Sequence, residues 1–274
     1  MSGETQLYGA RLFLISGSCK HKSSIEHARL IDTACLAAHK SKLQTISIAS
    51  DGESRHAKAL VLLTFKNRLT PLSPIYEMLH VLPLMNLQVG EDDITADKDY
   101  KHVFKWLRNL VLRDKGVIVH GVHIKPSIIC SHLLSNNVSN LHTNHLLNPN
   151  DKQDMKLAYD TLQEIWSLPN ALPKASPGFQ QSRKLLQILG ALFKHLLMLY
   201  ICIDLSLSEQ LSHLGVAAHL LLALWAKDHT STRLMPTQLY TDIMIMIKNA
   251  YFCVAKAKVN DPQGRFWHIL LGTD

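Results

Sequence analysis

The sequence predicts a mixed α/β chain in which a sheet-bearing core is interrupted by a large, mostly α-helical insertion. Three observations predict it. Short β-branched runs that stop at glycine turns occupy the first half. A near-continuous series of helical periodicities fills 125–258. A last strand-like run, Phe266 to Leu271, follows that block. Strands, then helices, then a returning strand is the order expected of an α/β core split by an insertion. The boundaries read as a helical lead-in over 1–43, a first core part over 44–124, the insertion over 125–258 and the start of the returning strand over 259–274.

From Ser24 to Lys40, Ile25, Ala28, Leu30, Ile31, Cys35 and Leu36 recur at near-helical spacing, with Ser24 as the candidate N-cap. Thr45 to Ser50 alternates β-branched and small residues and stops at Asp51-Gly52, a strand followed by a turn. Leu60 to Phe65 reads as a second short apolar strand. Pro71 and Pro74 then interrupt the chain, and a mixed stretch through Val89 ends at Gly90. The segment Glu91 to Asp99 holds five acids in nine residues around the β-like run Ile94 to Ala96. Tyr100 to Arg113 is again helical, with Val103, Leu107, Leu110 and Val111 on one side and Lys101, Lys105 and Arg108 on another. Val117 to Val119 reads as a short strand. Helices are expected near 126–135, 151–167, 179–203, 206–226 and 236–257, separated by turns such as Asn148-Pro149-Asn150 and Pro169 to Pro177. Leu185 to Ile203 is apolar enough to raise a membrane span, but Lys194 and His195 stand at its centre, where charge is costly, so a buried helix is expected.

The 274 residues, 47% of them apolar, exclude a disordered tail, a collagen-like chain and a disulfide-stapled miniprotein. Five widely spread cysteines without a C-x-x-C pair read as reduced thiols of an intracellular protein. Met1 to Ile15, broken by Arg11, lacks the apolar region of a secretory signal. The net charge of +7 is uneven: 1–70 carries +5, 71–100 carries −5, 101–150 carries +5 and 151–274 carries +2.

Two acids stand out by position. Asp51 ends a strand at a glycine turn, and Asp97 follows Ile94 to Ala96. If the two strands are neighbours, the carboxylates converge and can hold Mg²⁺ or Mn²⁺, hard cations that prefer oxygen ligands. Two such ions would activate a water or a 3′-hydroxyl and stabilise the leaving oxygen of a phosphodiester. The basic helix that follows is placed to lie along a phosphate backbone. Each piece also has a plainer reading: an Asp-Gly after a strand is a common turn, and acids before a helix complement its dipole. His120/His123 and His142/His145 have H-x-x-H spacing, yet neither pair has a cysteine or carboxylate at a structural zinc spacing. No phosphate-binding glycine loop and no G-x-S-x-G elbow is present.

The block Thr95-Ala-Asp-Lys-Asp-Tyr-Lys-His-Val-Phe-Lys-Trp-Leu-Arg-Asn109, with its D-x-x-x-K-H-x-F-K-x-x-R-N pattern, resembles a segment of P-element-type DDE transposases. Ile48 to Glu53 resembles the first catalytic Asp strand of their RNase H-like domain. Ile201 to Leu211 and Gln238 to Phe252 are similar to transposon-derived open reading frames of mushroom-forming fungi. With that group the resemblance runs from about Gln44 to the last residue. The resemblance implies an RNase H-like fold in which three acids bind two metals to cut and join DNA. By position Asp51 is then the first acid and Asp97 the second, with Asp99 its rival as ligand. Lys101, His102, Lys105, Arg108 and Asn109 belong to the nucleic-acid-facing helix after it. The third acid of such families is a Glu shortly after a block like Leu270-Leu-Gly-Thr-Asp274, so it is expected past the last residue. No zinc finger precedes the core, and the GTP binding of the P-element insertion is not carried over. The expectation is a DNA-processing fragment, nuclear more than cytoplasmic, inactive alone, with weak Mg²⁺ or Mn²⁺ affinity. Its partners would be DNA, as transposon ends, and a second copy of itself, with no membrane. The alternative is a non-enzymatic helical module that binds nucleic acid or protein.

Overall fold

A serine hydroxyl and a glutamate start the first helix. In a computed structural model that describes residues 22–50, 54–227 and 234–264, the Ser23 hydroxyl accepts from the Glu26 N–H at 3.3 Å. The Glu26 carboxylate accepts from the Ser23 N–H at 2.7 Å. This reciprocal capping box launches α1, Ser24–Lys40, so the cap lies one residue before the expected Ser24. Next comes β1, Ser47–Ser50, and then α2, Ser54–Thr64. Helix α2 corrects the strand expected over Leu60 to Phe65. Its buried residues Ala57, Ala59, Leu60, Leu63 and Thr64 fall at the three- and four-residue steps of one helical face, while Lys58, Val61 and Leu62 face outward. The six-residue apolar run had no period of its own to separate strand from helix.

A two-stranded antiparallel ribbon, β2 (Asn67–Arg68) with β3 (Gln88–Val89), brackets the short helix α3, Tyr76–Leu79. A 3-10 turn over Glu91–Asp93 leads into β4, Thr95–Lys98, and α4, Tyr100–Val111. Strands β5 (Val117–Val119) and β6 (Val122–Ile124) form a hairpin whose two turn residues, His120 and Gly121, have φ of 48° and 76°. That conformation suits glycine and matches the twist of a tight hairpin. The remaining described elements are helices joined by turns: α5 (Pro126–Leu134), α6 (Asn140–Leu146), α7 (Met155–Trp166), α8 (Pro177–Ile201), α9 (Leu207–Lys227) and α10 (Thr237–Asn260). The expected final strand, 266–271, lies outside the described residues.

The chain is therefore mixed α/β but mostly helical, with few and short strands. Its described strands form three separate two-stranded sheets, where one mixed sheet was expected. The cause is local: the chain leaves β1 into α2, so no hairpin strand pairs with β1. What pairs with β1 is β4, in parallel, in the register Ile48↔Ala96, Ala49↔Asp97 and Ser50↔Lys98. A parallel pair requires a long crossover, here supplied by the chain between Ser50 and Thr95.

The main hydrophobic core runs through α4, the β5–β6 hairpin and α5 to α10, with Phe104, Ile129, Leu162, Phe193, Leu214 and Ile243 among its buried members. Helix α4 thus shares one core with the helical block that follows it. Helix α8 is long and apolar enough to cross a membrane by length and composition. Here it packs between α7 and α9, with Leu186, Leu192, Leu196 and Leu197 fully buried within the chain. Gly190 permits the α7–α8 approach, because a Cβ there would lie 2.6 Å from the Trp166 Cα.

Candidate functional site

The end of β4 runs directly into α4, and that junction concentrates the chemistry the sequence singled out. Asp99 is the N-cap of α4: Oδ1 accepts from the Lys101 N–H at 2.8 Å, and Oδ2 lies 2.7 Å from His102 Nδ1. Asp97 stands two residues earlier on β4, half-buried, with Oδ1 accepting from the Lys98 N–H at 2.8 Å. Desolvation pushes its carboxyl up to about 6 and the Asp99 charge adds to the shift; the Lys98 N–H and the Asn249 side chain pull the other way. Asn249 Oδ1 accepts from the Thr95 hydroxyl at 2.6 Å, so its amide nitrogen is the group that faces Asp97. Tyr200 and Tyr100 stack 4.1 Å apart beside the acids. Burial, followed by the negative charge of Asp97, pushes the Tyr200 hydroxyl well above the usual phenol range. Cys253 is likewise pushed up to about 11 by burial, so it is a thiol and not a nucleophilic thiolate.

Helix α10 supplies the far wall, and sequence reasoning missed it by assigning this helix to the insertion. Asp242, Asn249 and Lys256 are seven residues apart, so they form one polar stripe on a helix whose neighbouring positions are mostly apolar, Thr241 and Lys248 apart. That heptad spacing within an apolar run was the available signal. Each member of the stripe grips the parallel strands. Lys98 Nζ lies 3.2 Å from Asp242 Oδ1 and donates to the Ser50 hydroxyl at 3.0 Å. Gln238 also donates to Asp242 Oδ1, at 2.9 Å, whereas Asp242 Oδ2 has no partner. Burial raises the Asp242 carboxyl above its ordinary value even though Lys98 opposes the shift. Lys256 Nζ donates to the Ile46 carbonyl at 2.8 Å and to the Asp93 carbonyl at 2.6 Å, fastening α10 to the start of β1 and to the acidic turn.

The other expected site residues are distributed unevenly. Asp51 lies outside the described residues, immediately after β1 in sequence. Arg108, expected on an exposed basic stripe, is 1% exposed. Its guanidinium donates to Thr161 Oγ1 at 3.2 Å and to the carbonyls of Asp151 at 2.6 Å, Leu146 at 3.0 Å and Asn148 at 2.7 Å. It therefore binds its own chain and offers nothing to a phosphate. Lys101 and Arg108 are seven positions apart and so share nearly one face of α4, but α7 packs over the C-terminal half of that helix and buries Arg108, so a regular spacing of cations did not give one solvent-facing row. Lys105 donates to Gln153 Oε1 at 3.2 Å, Asn109 to the Lys152 carbonyl at 3.5 Å, and Lys101 stands over the Tyr100 ring. His102 is committed to Asp99.

Among the described residues no group of three or more His, Cys, Asp or Glu side chains gathers closely enough to hold a metal ion. Asp97 contributes one carboxylate and Asp99 is taken up by the helix cap and His102, so these residues alone do not fit two divalent cations. The acidic turn is likewise engaged: Ser73 donates to Asp93 Oδ2 at 2.6 Å, and Asn67 donates to Glu91 Oε1 at 3.4 Å. His120 sits in the hairpin turn, His123 bonds the Lys115 carbonyl, and His142 lies 3.9 Å from Glu164.

One further buried cluster contains a Ser–His pair. Arg183 Nε donates to His132 Nδ1 at 2.9 Å, which leaves Nε2 as the protonated nitrogen, donating to Ser182 Oγ at 2.8 Å. Ser182 in turn donates to the Phe179 carbonyl at 3.0 Å. Hydrogen-bond donation here runs from His132 to Ser182, the reverse of what an activated serine requires. Burial, reinforced by the Arg183 charge, drops the His132 imidazole to about 4, so the cluster is a neutral structural network. Comparison with protein-family models, curated proteins and solved structures finds no match to the chain.

Proposed function

We propose that this chain is a transposase-derived, RNase H-like domain that engages DNA through α4 and does not cut it alone. The parallel pairing of β1 with β4 carries the reading. A DDE-type site needs the strand that leads into Asp51 and the strand that holds Asp97 to be neighbours running the same way, and β1 and β4 are such a pair. Asp97 also sits where solvent is partly excluded and its carboxyl is held near 6, the state of an acid lacking a compensating cation. What remains for DNA is electrostatic and positional: Lys101 and Lys105, one helical turn apart on α4, with Asn109 beyond them.

The test is salt-dependent duplex binding by fluorescence anisotropy, paired with a cleavage assay in Mn²⁺. Each neutralised phosphate contributes about 0.9 to the slope of log K against log salt. Replacing Lys101 and Lys105 together by glutamine is therefore expected to lower the slope by about 2. Wild-type protein is expected to leave the DNA uncut. No measurable DNA binding, or a slope untouched by the double substitution, would overturn the DNA reading. Mn²⁺-dependent cleavage abolished by Asp97→Asn would overturn the claim that the chain does not cut.

A further inference from the structure

On the face of α10 away from Asp97, the helix forms one wall of a separate, half-open cavity of about 550 Å³, lined also by α9 and the 82–86 segment. Small-molecule sites fall at roughly 300–1,000 Å³ and are mostly apolar with a few convergent polar groups. This cavity has that character. Its walls include Phe65, Met85, Leu222, Tyr240 and Met244, and its charged group is Lys248. The methionines add unbranched, adaptable surface that accommodates a flexible chain.

Lys248 is the unusual member. It is 7% exposed, its ammonium donates to the Gln88 carbonyl, and it stands over the rings of Phe65 and Phe252 at 4.4 Å and 5.3 Å. Among the described residues no carboxylate pairs with it. One carbonyl and two aromatic faces offset part of the cost of burying a cation, but none of them carries a full negative charge. Burial, with the Lys256 charge adding to it, pulls the amine down to about 8, so at neutral pH it remains mostly protonated and uncompensated.

We propose that this cavity binds an apolar molecule bearing one anionic head, a medium-chain carboxylate, with the head paired to Lys248 and the chain lying along Met85, Leu222 and Met244. The anion supplies the missing counter-charge, and the apolar walls take the chain out of water. This site is independent of the DNA reading, since neither Lys101 nor Lys105 lines it.

Isothermal titration of the full chain with decanoate, with 1-decanol as the uncharged probe of equal length, tests the assignment. Decanoate is expected to bind at least about tenfold more tightly than 1-decanol, and Lys248→Met to remove that difference. A second variant, Leu222→Trp, fills the apolar end without touching the charge and is expected to weaken both probes by about tenfold or more. Absence of decanoate binding, equal binding of the two probes to the wild type, or decanoate affinity unchanged in Lys248→Met would overturn the proposal. If Lys248→Met does not fold, unchanged decanoate binding in Leu222→Trp overturns it instead.

Discussion

Replacing Arg108 by alanine is expected to unfold the α4–α7 junction, with little bearing on phosphate contacts. The side chain reaches three carbonyls and a threonine hydroxyl from the inside of α4. On truncation the Leu146 carbonyl is left sharing the one Thr161 hydroxyl proton, at 3.1 Å, with the Leu157 carbonyl at 2.7 Å, and the carbonyls orphaned outright are those of Asp151 and Asn148. Each costs about 1–3 kcal/mol, at the low end here because both lie in a partly buried turn within reach of water. Loss of the buried aliphatic stem adds about 1–2 kcal/mol, for a total of about 3–4 kcal/mol. That corresponds to a fall in Tm on the order of 10 °C. Arg108→Lys keeps the charge but lacks the planar fork that spans separate acceptors, so it should lose a large share of the same stability. Urea unfolding followed by tryptophan fluorescence measures both variants. A loss below about 1 kcal/mol for Arg108→Ala, or lost DNA affinity in a variant as stable as the wild type, would refute the interior role.

Three further outcomes are expected. Asp97→Asn should stabilise the chain at pH 7 and barely at pH 4: the folded carboxyl titrates near 6, so its ionisation costs the fold stability as pH rises from the ordinary carboxylate range through 6. Allowing for its partial solvent contact, the gain at pH 7 is about 1–2 kcal/mol, measured by denaturant midpoints at the two pH values. His132 has the opposite sign: the fold excludes its proton, so stability is complete above pH 6.5 and falls as pH drops toward 4, by about 3 kcal/mol in all. A His132→Gln variant whose stability kept the same pH slope in that window would contradict the assignment. Lys98→Met should cost about 3–5 kcal/mol by leaving Asp242 buried without its cation, whereas Lys98→Met with Asp242→Leu should recover most of that loss in thermal melts.

Much of the architecture was legible because it rests on long periodic segments. Ser24–Lys40 matches the expected α1, and α8, α9 and α10 begin and end within a few residues of their expected positions. Such helices bury one stripe, and the stripe is written in the spacing of their leucines and isoleucines. Segment Leu60 to Phe65 failed because its period shows only when the window extends back to Ser54. Helix α6 was missed because its seven residues, Asn140–Leu146, are mostly polar and held by a Ser139 cap. At the candidate site, Asp97 and Asp99 were identifiable from their setting, but their different duties were not: Asp99 is spent as a cap and Asp97 is left partly desolvated. Lys98, Asp242, Asn249 and Lys256 depend on pairings across more than 140 positions, a separation at which local pattern carries no information.

Helix α10 also bears on the order in which the chain acquires structure. It contributes Ile243 and Met246 to the main core, Phe252 and Ala255 to the cluster beneath the β2–β3 ribbon, and Ile245 to the cluster around Leu60 and Ala96. Three groups of apolar side chains therefore wait for one late segment. On the ribosome, β1, α2 and β4 are synthesised more than 130 residues before the helix that covers them, and until then the parallel pair has an open edge. Contacts of such separation fold slowly and leave strand edges and apolar faces available to other molecules in the meantime. The helical block can assemble first because α7, α8 and α9 pack against their sequence neighbours. The site at β4 is consequently complete only after the step that docks α10.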